Sequence, residues 1–152
     1  MKLIAHRANL NGPNLTTENS PEQIIYCIEQ GYDVEVDVRY DTKSDTLWLG
    51  HDEPQHMVSW YWLAGKADHL WIHCKDIATL HEFSVKTSGY NFFWHEKDDY
   101  TLTSKNQIWS YPQKTYTENT VIVMPELCDM NWDMLKVTNC YGICSDYISK
   151  LK

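Results

Sequence analysis

The sequence predicts an α/β fold, a compact TIM-type (β/α)8 barrel with several helices shortened or missing. Three observations predict it. Eight short runs of β character are spread along the chain, and helical patterns separate the early ones. The 152 residues leave only about 19 per strand and helix unit, where such barrels typically use about 250 in all. Helices are therefore expected to be absent or reduced to turns after residues 37–41, 96–104 and 111–118.

LIAHR (3–7) reads as a short strand, and the polar run NLNGPNLTTENS as a loop. Ser20 is a capping residue, Pro21 suits the first helical position, and Ile24, Ile25 and Ile28 follow at helical spacing until Gly31 stops the helix. DVEVDVRY (33–40) alternates at period two, and after the turn TKSD the run TLWLGHD (46–52) supplies a third strand. MVSWYWLAGKA reads as a short helix, LWIHCKD (70–76) as a strand, and DIATLHEFSVKT (76–87) as a helix capped by Asp76. YNFFWHE (90–96), QIWSY (107–111), TVIVMPEL (120–127) and YGICSDY (141–147) complete the eight strands.

Composition narrows the class. With 43% apolar residues, seven Trp and ten Tyr, the chain has the make-up of a folded globule, and its length suits a single domain over residues 1–152. No stretch approaches the roughly 18 apolar residues of a membrane span, and MKLIAHR turns polar too early for a secretory signal. A cytoplasmic protein without stable membrane insertion is expected. Five cysteines lack paired metal-ligand spacing and read as reduced, mostly buried thiols. A net charge of -8 argues against extended nucleic-acid binding. It leaves room for one anionic group held beside a metal.

In the second strand Val34, Val36 and Val38 point one way while Glu35 and Asp37 point the other. Their positions lie about 6.5 to 7 Å apart along the strand, and converging carboxylates can share one hard cation. The pair alone fits a strand showing a polar face to water equally well. His6 and Arg7 end the first strand, however, and His51 and Asp52 end the third. In a parallel barrel the carboxyl ends of all strands meet at one rim, so these six residues are expected to converge.

Residues 3–52, running from LIAHR through ENS and EVDV to GHD, resemble the glycerophosphodiester phosphodiesterase family, whose opening reads HRG, then ENS or ENT, then ExDV, then HD. LWIHCKD is similar to that family's fourth strand, which ends in a lysine, and YGICSDY to its last strand, Gly-Ile-x-x-Asp. The resemblance implies a compact barrel of the phosphatidylinositol-phospholipase-C-like type and metal-assisted cleavage of a small phosphodiester. It implies His6 and His51 as acid and base, Arg7 and Lys75 on the phosphate, and Glu35 and Asp37 on a divalent cation, Mg2+ or Ca2+ with Mn2+ as a further option. It also implies that Glu18 and Asn19 complete or brace the site and that Asp52 orients a neighbour.

Three departures stand out. Ala8 replaces the family's glycine, the long insertion after GHD is missing, and His73 stands where the fourth strand usually carries a glutamate. An imidazole there is a softer ligand and removes a negative charge, which weakens Mg2+ or Ca2+ and favours Mn2+ or Zn2+. The reading from another class is a barrel that binds a phosphorylated ligand without turnover. A third keeps the enzyme but ends in a cyclic phosphate, as in phospholipase-D-like relatives. Trp94 and Trp109 are candidate pocket-lining residues with core packing as the alternative, and His95 and Glu96 are candidates for the rim. His56, His69 and His81 read as surface residues.

Overall fold

The computed structural model describes residues 1–86, 89–128 and 130–152. Its strands are β1 (Lys2–Ala5), β2 (Asp33–Asp41), β3 (Thr46–Leu49), β4 (His56–Val58), β5 (Leu70–Cys74), β6 (Asn91–Phe93), β7 (Tyr100–Leu102), β8 (Ile108–Ser110), β9 (Thr120–Val123) and β10 (Gly142–Ser145). The helices are α1 (Pro21–Glu29), α2 (Trp60–Ala64), α3 (Ile77–Lys86) and α4 (Trp132–Lys136). Each of the eight expected β runs overlaps a strand. Strands β4 and β7 and helix α4, of three, three and five residues, were not foreseen.

The local signals act as their chemistry predicts. Ser20 accepts a hydrogen bond from the Gln23 N–H, Pro21 opens α1, and Gly31 follows its end at φ 81°. Asp76 accepts from the Thr79 N–H at 2.7 Å and so caps α3. Thr87, the last residue of that expected helix, lies outside the described residues. No helix among the described residues is long and apolar enough to cross a membrane.

Parallel ladders join β6, β5, β2, β1, β10, β9 and β8 in that order. The sheet does not close: no ladder joins β6 to β8 among the described residues. It does curl. Trp71 of β5 meets Trp109 of β8 at 5.9 Å between ring centroids, and Phe93 of β6 meets Trp109 at 4.5 Å. With Ile4, Val121, Val123 and Cys144 these rings fill the concave side. The valines of β2 pack on the convex side with Ile24 and Cys27 of α1 and Phe83 of α3.

The expectation of a parallel third barrel strand is corrected. Strand β3 runs antiparallel to the outer half of β2, with Val38 opposite Leu49 and Asp41 opposite Thr46. The turn at 42–45 leaves no alternative, because a parallel return needs a crossover of roughly a dozen residues or more. Asp41 closes this turn by accepting from the Lys43 N–H and the Ser44 hydroxyl. The described residues form four α-helices, in keeping with the expectation that several barrel helices are shortened or missing.

Candidate metal centre

Period-two alternation on four neighbouring strands builds the site. Each residue two beyond a concave-side position points the same way. Ile4 thus leads to His6, Cys144 to Asp146, Trp71 to His73 and Lys75, and Asp33 to Glu35 and Asp37. Register does the rest: Asp37 lies opposite His73 on the β2–β5 ladder. One face at one end of the sheet therefore holds five acidic or imidazole groups and a lysine.

At its centre, Glu35, Asp37 and His73 offer ligand atoms that all lie within 4.8 Å of one another. Two ligands of one cation with bonds of about 2.0 to 2.6 Å stand at most about 5 Å apart, so the spacing fits. His73 Nδ1 lies 3.2 Å from Asp37 Oδ1 and 3.7 Å from Glu35 Oε1. Its Nε2 donates to the His95 carbonyl at 2.8 Å, which leaves the Nδ1 lone pair directed at the carboxylates in the neutral ring. The ring also stacks on Phe93, 9° from parallel. Burial alone would lower the His73 pKa, but the two carboxylates outweigh it and push it up to about 9. Without a cation, then, the imidazolium balances part of their charge.

Asp37 is held on one side only. Asn19 donates to its Oδ2 at 2.9 Å and accepts from its backbone N–H at 3.0 Å. Its Oδ1 is buried and makes no well-directed hydrogen bond, with His73 Nδ1 at 3.2 Å and Lys75 Nζ at 3.4 Å as its charged neighbours. Burial would raise its pKa, but His73, Lys75 and Arg7 hold it far below the usual carboxylate range. The donor set of two carboxylates and one oriented imidazole, with that spare oxygen, fits a divalent cation.

Arg7 lies beside it. The chain turns sharply after β1, with Arg7 at φ 50° and Ala8 at φ 66°. This left-handed pair aims the Arg7 N–H at Glu35 Oε2, 3.0 Å away. It also explains why a glycine would suit position 8: an alanine there carries strain of about 1 kcal/mol. The Arg7 guanidinium reaches Asp37 Oδ2 at 3.4 Å and Glu18 Oε1 at 3.7 Å. Its Nε is buried without a hydrogen-bond partner.

His6 forms a second unit. Its Nδ1 lies 2.8 Å from Asp146 Oδ1, and its Nε2 faces Glu35 Oε2 at 3.9 Å. Asp146 also accepts from Asn9 Nδ2 at 2.9 Å, and its backbone N–H donates to Glu126 Oε1 at 2.9 Å. Burial would lower the His6 pKa; the Asp146 hydrogen bond and the charge of Glu35 outweigh it and raise it. Asp146, Asn9 and Glu126 were missed as site residues. The available signal was Asp146 at the end of the last strand, two residues past a buried position.

His51 stands apart. Gly50 adopts φ 147°, and a Cβ there would lie 2.1 Å from the Glu53 carbonyl, so only glycine makes this bend. The Gly50 N–H donates to the Asp37 carbonyl at 3.1 Å, which returns the chain to the β2 rim. His51 Nδ1 pairs with the exposed Asp52 at 2.7 Å, and Arg39 Nη2 holds the carbonyls of both residues. No hydrogen bond or ion pair joins His51 to His6, Glu35 or Asp37 among the described residues.

The remaining candidates lie elsewhere. Trp109 is buried in the concave core with Trp71 and Phe93 rather than at the mouth. Trp94 packs against the convex core, because it follows the inward Phe93 by one residue. His95 contributes its carbonyl to His73 while its ring turns to the Asp98 carbonyl, and Glu96 is exposed. His69 pairs with Asp33 at 3.3 Å at the opposite end of β2. Compared with known proteins, the chain matches no family model, no curated protein and no solved structure.

Proposed function

We propose that this protein is a divalent-cation-dependent phosphodiesterase acting on a small phosphodiester, glycerophosphodiester-like or a lipid head group. The observation that carries the reading is the buried, unsatisfied Asp37 Oδ1 within ligand distance of Glu35 and His73, flanked by Arg7 and Lys75. Three anionic or neutral donors beside two fixed cations form a place where a phosphate and a cation can both be neutralised. We read the curled sheet as a reduced (β/α)8 barrel and the cytoplasm as its compartment.

A divalent ion held by Glu35, Asp37 and His73 supplies Lewis-acid neutralisation of phosphate charge. Arg7 and Lys75 bind the other phosphate oxygens, the guanidinium by a fork and the ammonium as a point charge. His6, fixed through Nδ1 by Asp146, which with Glu35 raises its pKa, presents Nε2 as the acid that protonates the leaving alkoxide. His51, fixed through Nδ1 by Asp52, accepts at Nε2 the proton of the attacking hydroxyl or water. Glu18 and Asn19 brace Arg7 and Asp37 from the loop before α1.

A binder without turnover has no use for an oriented histidine with a raised pKa, which favours the enzyme. Whether water or a hydroxyl of the substrate attacks is decided by the product, a monoester or a cyclic phosphate. The test is turnover of bis(4-nitrophenyl) phosphate and of glycerophosphodiesters, in EDTA and after restoring Mg2+, Ca2+ or Mn2+. Activity abolished by EDTA and restored by one of these ions is expected. Absence of turnover with every ion, with His6→Ala indistinguishable from the parent, overturns the reading.

A further inference from the structure

Among the described residues, the hydrogen bonds that residues 51–54, in the loop between β3 and β4, make with the rest of the chain all come from Arg39. Its Nη2 donates to the His51 carbonyl at 2.7 Å and to the Asp52 carbonyl at 3.0 Å. The ends of the loop are held by backbone instead. The Gly50 N–H donates to the Asp37 carbonyl at 3.1 Å, and the Gln55 N–H to the Leu49 carbonyl at 2.9 Å. Within the loop, the His51 ring pairs with the Asp52 carboxylate at 2.7 Å. Asp52 thus fixes the ring in the loop, and Arg39 fixes the loop on the sheet.

Where Arg39 stands decides where the loop goes. Side chains alternate along β2, so the face that carries Glu35 and Asp37 carries Arg39 next, while Val38 packs into the convex core. The carbonyls of His51 and Asp52 are therefore drawn to the face that bears the candidate ligands, one step of the strand beyond Asp37. A guanidinium on two neutral carbonyls makes charge-assisted bonds, stronger than those between neutral groups. The Arg39 Nε is buried without a hydrogen-bond partner, so the head group is committed to this loop.

We propose that Arg39 is the positioning residue of His51: it ties the loop that carries the base to the strand that carries Glu35 and Asp37, and so sets where His51 Nε2 stands relative to the reacting phosphate. The proposal rests on the phosphodiesterase reading with His51 as its base. Arg39 acts through His51 and takes no proton itself. A histidine in a loop otherwise held only at its ends keeps a fixed distance from the cation ligands by this one side chain.

The test is a double-mutant cycle on bis(4-nitrophenyl) phosphate, whose leaving group departs without a proton, so that the rate reports on the base. Arg39→Met is expected to lower kcat about 10- to 100-fold, the cost of a misplaced base, with KM within about twofold. Arg39→Lys, which keeps a charged donor, is expected to lose less. In a His51→Ala background Arg39→Met is expected to have no further effect, because both act through one group. The full loss repeated in that background, or kcat unchanged by Arg39→Met, overturns the proposal. A measurement on the backbone separates this from failure of the chemistry. Amide order parameters of residues 51–53 are expected to fall from about 0.85 to below about 0.6 in Arg39→Met, while those of Val36 and Leu47 hold. Unchanged order parameters overturn the proposal. A loosened loop in Arg39→Met, with no turnover of any diester by the parent, keeps the tether and removes the phosphodiesterase.

Discussion

Strand β2 carries two buried aspartates on the same face, four residues apart, and their surroundings differ. Asp33 is satisfied on both oxygens: Lys2 Nζ at 2.9 Å and Trp71 Nε1 at 3.2 Å hold Oδ2, and His69 Nδ1 at 3.3 Å holds Oδ1. Asp37 is satisfied by Asn19 on Oδ2, while its Oδ1 makes no well-directed hydrogen bond and has only the charged neighbours His73 Nδ1 at 3.2 Å and Lys75 Nζ at 3.4 Å. The same residue type on the same strand is thus a closed structural contact at one end and an unfinished ligand set at the other. Burial of an acid alone does not distinguish the two; the neighbouring carboxylate and imidazole around Asp37 do.

Substitution at the two ends separates them. Asp37→Asn is expected to lower kcat by about 10^3-fold or more, several kcal/mol of transition-state stabilisation, and to remove cation binding measured by calorimetry. An Asp33→Asn variant with the same loss would erase the contrast. Asp146→Asn extends it to a third acid, one that acts through a histidine. A fall in kcat of about 10^2-fold is expected, with KM little changed. The limb of the pH–rate profile lost as pH rises should move to lower pH, because His6 no longer gains from the Asp146 charge.

The open end also makes the metal-free protein sensitive to alkali. The His73 pKa is raised from 6.5 to about 9, so its stabilising charge is fully present below pH 6.5 and lost as pH rises through 9. At about 1.4 kcal/mol per unit, the expected loss is on the order of 3 kcal/mol, read as a falling Tm in EDTA. His73→Gln should flatten that fall; an equal fall in the variant would place the effect elsewhere. The smallest effect belongs to the closed end. Asp33→Asn is expected to lower stability by about 1 to 2 kcal/mol, with kcat retained.

Much of this was legible in residue order. Alternating Val34, Glu35, Val36, Asp37 and Val38 assigned both faces of β2, and Ser20-Pro21 placed α1, because these signals are local. Strands β4 and β7 were not legible, since three residues carry no period and their pairing partner decides them. Closure of the sheet is a property of distant strands, and the expected ring failed first at β3, where a turn too short for a crossover was counted as a parallel connection. Asp146 escaped for the same reason. Its meaning lies in His6, 140 residues earlier, and only the β1–β10 pairing brings the two together.

Asn19 has a further consequence for ion choice. By occupying Oδ2 and the backbone N–H of Asp37, it fixes the carboxylate's rotation and leaves a single oxygen to offer. Were a cation held there, Asp37 would offer it that one oxygen. Larger ions such as Ca2+ gain from carboxylates that turn to give both oxygens, whereas smaller octahedral ions take one oxygen from each. A neutral amide would thus set how many oxygens Asp37 could offer a cation held there.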